Sequence, residues 1–148
     1  MHLFHPTREQ VRIFFIESWR KYQAKEVLST LETITAGIVL EHPEYQPLLT
    51  SQNVLSKEFP PEDGQTNPFL HMSLHLAIEE QLSIDQPPGI RLAFEKLRKQ
   101  FGRHGAMHEV LECLGETMYK ALRDNTSPDG QSYLNSIRRH AGMPPIAD

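Results

Sequence analysis

The chain has 148 residues with 39% hydrophobic and 23% charged side chains, ordinary values for one soluble globular domain, 1–148. A formal charge of −4 argues against a nucleic-acid partner, no apolar run approaches the length of a membrane span, and no secretory signal is recognisable at Met1–Pro6. A single cysteine, Cys113, excludes an internal disulfide, so a cytoplasmic location is expected.

Thr7 with Gln10 forms a capping-box pattern, and Val11, Phe14, Phe15, Trp19 and Tyr22 recur at helical spacing to about Lys25. A second helix is predicted over 27–41, with Leu28, Leu31, Ile34, Ile38 and Val39 as its stripe. His42-Pro43 ends it, because the residue before proline is pushed out of the α region. Pro47 opens a short helical turn. Residues 56–67 read as a loop, and Asn67-Pro68 caps and opens the next helix, which runs to about Ser83. After the Asp85–Gly89 connection a helix carries Ile90, Ala93, Phe94 and Leu97 to about Phe101. Gly102 and Gly105 mark a break, a further helix runs to about Asp124, and a last one spans 132–140. The expected fold is an all-α bundle of five to six helices with short connections.

Two segments repeat one pattern. His71, His75 and Glu79 read H-x-x-x-H-x-x-x-E, and so do His104, His108 and Glu112. With 8 histidines in the chain, one such triplet is expected only about 0.04 times by chance, which favours selection over coincidence. Residues at i and i+4 stack on one helix face, so each triplet lines up two imidazoles and a carboxylate. On the first helix His71 and His75 fall between the Leu70-Leu74-Ile78-Leu82 stripe and the Phe69-Met72-Leu76 group. On the second, His104, His108 and Glu112 lie on or beside a Met107-Leu111-Leu114-Met118-Leu122 stripe, so all six polar residues are expected to point inward. Buried polar groups need partners, and a divalent ion would satisfy the whole set. In an antiparallel pairing His75 would meet His108, with His71 near Glu112 and Glu79 near His104.

The donor set of imidazole and carboxylate, without thiolate, suits iron or zinc. Cys113 lies nearly opposite the ligand face. Glu9, Glu17, Glu32, Glu41 and His42 are further candidates that spacing does not single out. Glu109 and Glu80 are spare glutamates able to move protons. His108-Glu109-Val110-Leu111-Glu112 departs from the zincin H-E-x-x-H helix by having Glu in place of the second His. The leading expectation is a metal-binding bundle, compatible with metal-dependent redox or hydrolytic activity. The alternative is a non-enzymatic interaction or regulatory module whose His/Glu layer is a buried polar network. A homo-oligomer is compatible with either reading.

The stretch Asn67–His75, the Ser83–Arg91 turn and the His108-Glu109 helix resemble a bacterial family of uncharacterised domains, a domain of unknown function, over nearly the whole chain. That resemblance implies a bacterial cytoplasmic protein and no particular activity. The triplets are also loosely similar to the ligand helices of hemerythrin-like di-iron bundles, which use H-x-x-x-H and H-x-x-x-E pairs. This chain places its clear ligands on only two helices, so oxygen carriage does not carry over.

Overall fold

The computed structural model describes residues 7–59 and 67–146. Thr7 caps α1 (Arg8–Gln23): its hydroxyl accepts from the Gln10 amide at 3.1 Å while the Gln10 side chain accepts from the Thr7 amide at 2.9 Å. The second helix, α2 (Thr30–Leu40), begins three residues later than its apolar pattern suggests. Ser29 and Glu32 form a reciprocal capping box there, and Val27, counted toward the helix by pattern, is 93% exposed. A cap fixes a helix start more firmly than periodicity, because it satisfies amides that otherwise have no partner.

A 3-10 turn (Pro43–Tyr45) and the short α3 (Gln46–Leu49) follow. Next come α4 (Pro68–Ile84), α5 (Ile90–Asp124) and α6 (Gly130–His140), with no strand among the described residues. Part of the expected 56–67 loop, residues 60–66, lies outside the described residues. Asn67 caps α4 as expected, its Oδ1 accepting from the Phe69 and Leu70 amides at 3.0 and 3.3 Å. α6 starts earlier than its apolar pattern, because Asp129 accepts from the Gln131 amide at 3.1 Å and caps it.

α5 carries the expected break. Gly102 has φ 77° and ψ 172°, a region almost confined to glycine, so α5 is two helical segments that meet at a kink there. A Cβ at Gly102 would meet nothing within 4 Å, so backbone conformation, not space, selects glycine. His104 therefore sits inside the helical segment 103–124, not in a cap or loop.

The described residues fall into two compact units that divide within α4, after Leu76. In the first, α1 packs on α2 around a core of Phe15, Trp19, Ile38, Val39, Leu49, Val54, Phe69, Met72 and Leu76. Arg12 is enclosed with them at 1% exposure, its Nη1 donating to the Val54, Leu55 and Lys57 carbonyls at 2.8, 3.3 and 2.8 Å. These bonds fasten the chain that follows α3 onto α1. In the second unit α5 packs on α6, burying Ala106, Val110, Cys113, Leu134 and Ile137. Tyr133 Oη donates to Gln81 Oε1 at 2.6 Å, and burial raises the phenol's pKa, so it stays a neutral donor.

Candidate metal centre

His71 and His75 stand one turn apart on α4, as the pattern requires, with their Nε2 atoms 3.3 Å apart. His75 is 2% exposed and His71 is half-buried. Of the stripe expected beside them, Leu70 is 55% exposed but Ile78 is fully buried, and the buried face runs through Phe69, Met72, His75, Leu76 and Ile78. His75 therefore belongs to the core face itself.

His42 completes the group. It follows the last turn of α2, where Pro43 forces the chain out of the helix, and is 3% exposed. Its Nδ1 lies 2.7 Å from the Ile38 carbonyl oxygen. A carbonyl only accepts, so Nδ1 carries a proton and, in the neutral ring, Nε2 carries the lone pair. A backbone contact of this kind also orients metal-ligating histidines. The His42 ring meets His71 and His75 edge to face, at centroid separations of 5.1 and 4.7 Å. One ring nitrogen from each of His42, His71 and His75 lies within 4.8 Å of the others. Tyr45 stacks on His42 at 5.4 Å with the rings parallel to within 1°. Burial, then the nearby Glu44 carboxylate, raises the Tyr45 phenol pKa. The aromatic wall therefore stays neutral.

Glu79 is engaged by Arg103, whose Nη2 donates to Glu79 Oε1. Arg103, the residue beside His104, thus pairs with this carboxylate. His104 and His108 are in ring contact at 4.4 Å, yet both are exposed, as is Glu112. Their expected inward placement is corrected: 103–124 buries Ala106, Met107, Val110, Leu111, Cys113, Leu114 and Ala121, while Met118 and Leu122 are 42% and 82% exposed. The wheel built on the large apolar residues missed this because small residues let α6 approach closely, and they carry little weight in a hydrophobicity pattern. Cys113 lies in that core, where burial pushes its thiol pKa up and disfavours a thiolate ligand.

Glu109 turns to His140, whose Nδ1 lies 2.7 Å from Glu109 Oε2, and with Glu112 the three offer ligand atoms within 4.8 Å of one another. His140 reads in sequence as part of a solvated basic helix end. Its engagement depends on how α6 returns along α5, which no local pattern reveals. His42 was legible as a candidate but not selectable, since it follows α2 and lies far in sequence from the triplet it joins.

Helical elements and a three-imidazole cluster define an all-α protein with a metal-type donor set. The chain belongs to the family described as domain of unknown function (DUF1841), whose profile matches residues 7–139. Among curated proteins and solved structures, none matches. No helix among the described residues is long and apolar enough to cross a membrane.

Proposed function

We propose that this protein binds one divalent metal ion through His42, His71 and His75. The observation that carries this reading is the 3.3 Å separation of the His71 and His75 Nε2 atoms beside a third buried imidazole. A tetrahedral zinc ion with bonds of 2.0–2.1 Å holds its ligand nitrogens about 3.3–3.4 Å apart. Zinc is the favoured ion, and iron would be expected to recruit a carboxylate. Three protein ligands leave a fourth position for water, whose pKa a bound zinc lowers to about 7, the chemistry of hydrolysis. Around it, this chain supplies an Ile38 carbonyl that fixes the His42 tautomer and a neutral Tyr45 wall that restricts solvent.

The test is elemental analysis of untagged protein purified without chelator, with zinc calorimetry and cobalt absorption spectroscopy. The expected result is about one equivalent of metal, lost in His75→Ala and in His42→Ala with helicity retained. The same measurement on Glu79→Gln and on His104→Ala/His108→Ala asks whether Glu79 or the second triplet contributes donors. Metal-free protein under native and zinc-supplemented conditions would overturn the reading.

One observation favours a second reading. An N–H···N bond between His71 and His75 also accounts for the 3.3 Å contact, making the cluster a polar layer of an interaction module. In that case His75→Ala destabilises the fold equally with and without zinc.

A further inference from the structure

A second feature of the first unit lies apart from the imidazoles. A pocket of about 180 Å³ opens where α1 faces the first turns of α4, walled by Val11, Phe69, Leu70 and Ser73 with Arg8 and Arg12. Its walls are mainly apolar, yet its cationic side chains are incompletely answered. Arg12 makes its three carbonyl bonds through Nη1 alone, and its Nε, fully buried, makes no hydrogen bond among the described residues. The Nε edge of a guanidinium is one of its faces for bidentate binding of a carboxylate. The Phe69 and Phe59 rings lie 4.8 and 5.6 Å from the Arg12 guanidinium carbon and help hold the head in place.

The local charge is unbalanced. Arg8 reaches Glu58 at 3.1 Å, so among the described residues one carboxylate answers two guanidinium groups. Burial first, and the neighbouring Arg8 charge second, lower the Arg12 pKa, with Glu58 opposing them only in third place. The positive end of the 17-residue α4 lies on the same side, since the capping residue Asn67 is also in the pocket wall.

We propose that this pocket binds a short-chain monocarboxylate. Its carboxylate sits on the Nε edge of Arg12 with Arg8 beside it, and its hydrocarbon tail lies over Val11, Phe69 and Leu70. The volume is below the roughly 300 Å³ at which drug-sized sites begin, so the ligand is small. The apolar walls favour an acid with a tail over inorganic phosphate, which needs donors all round.

The experiment is a ¹H–¹⁵N NMR titration of the full chain with butyrate at fixed ionic strength, with inorganic phosphate and chloride as comparisons. The Arg12 Nε–H resonance and the amides of 69–73 are expected to shift and saturate with a dissociation constant of about millimolar, well within the affinity ceiling for a ligand of about six non-hydrogen atoms. Ser73→Leu fills the pocket and leaves the Nη1 bonds in place, so it is expected to weaken butyrate at least about tenfold. Arg8→Gln lowers affinity without emptying the site. Shifts that stay linear to about 50 mM, or equal binding by Ser73→Leu, overturn the proposal. The Arg12 Nε–H readout does not involve the imidazoles, so this site and the imidazole cluster fail or stand separately.

Discussion

Replacing Arg12 with Met tests how the first unit is held together. The substitution keeps the unbranched apolar stem and removes the guanidinium. Three main-chain carbonyls, of Val54, Leu55 and Lys57, then lose their donor in a place where Arg12 is 1% exposed. Hydrogen bonds from a charged donor contribute about 1.5–3 kcal/mol each. Counting the two 2.8 Å bonds in full and discounting the 3.3 Å one gives about 3–6 kcal/mol. Relief of the buried cation, visible as the lowered Arg12 pKa, offsets part of this, leaving about 2–5 kcal/mol. In a chain of this length that corresponds to a midpoint fall of roughly 4–20 °C. Urea denaturation followed by circular dichroism and Trp19 fluorescence measures it, since Trp19 lies in the same core. Arg12→Lys is expected to fall between wild type and Met, because one ammonium cannot reproduce the planar fork. A loss below about 1 kcal/mol in Arg12→Met would refute the reasoning, showing that water or a shifted chain satisfies the carbonyls.

Other expectations test separate parts of the molecule. Gly102→Ala places an L side chain at φ 77° and ψ 172° and is expected to cost about 1–3 kcal/mol with helicity retained; an unchanged melting midpoint would show that the kink is not intrinsic to the fold. Ser29→Ala removes the α2 cap and should cost about 1 kcal/mol in the same assay, while no change would mean that packing alone sets the start of α2. Asp85 accepts amide bonds from Arg91 at 3.0 Å and from Gly89 at 3.3 Å, and these, the Arg91 bond foremost, hold its carboxyl below the usual range. Its folded pKa is therefore lower than its unfolded one, so its stabilisation is complete above about pH 4 and disappears as pH falls through the depressed value. Asn tolerates the φ of 53° at this position, so Asp85→Asn isolates the charge: the gap to wild type should be flat from about pH 5 to 8 and close in acid. A gap that widens in acid contradicts this assignment.

The legible part of the candidate site was the part written within one helix. The i, i+4 spacing of His71 and His75 dictates that they share a face of any α-helix, and the structure brings their nitrogens to 3.3 Å. Glu79 shares the face but turns to Arg103, a choice made by a neighbour 24 residues away. The second triplet shows the limit of the same argument. The helical angle put His104, His108 and Glu112 inward relative to large apolar residues, but the buried face also takes in Ala106, Val110, Cys113 and Ala121, and the triplet is exposed.

By itself the sequence determined the helices and most of their ends. Thr7, Asn67 and Pro68 act within three or four residues, and so does the glycine that kinks α5 at position 102. It also determined that imidazole far outnumbers thiol among the groups able to ligate a metal, with eight histidines against one cysteine. The tertiary structure alone decided which imidazoles meet. His42 joins His71 and His75 because α2 ends where its ring reaches the α4 face, and Arg12 is buried because the chain after α3 turns its carbonyls toward α1. Both are contacts across roughly 30–45 residues, and their energy comes from closing that chain around a shared core. Local propensity and periodicity carry no record of such closure.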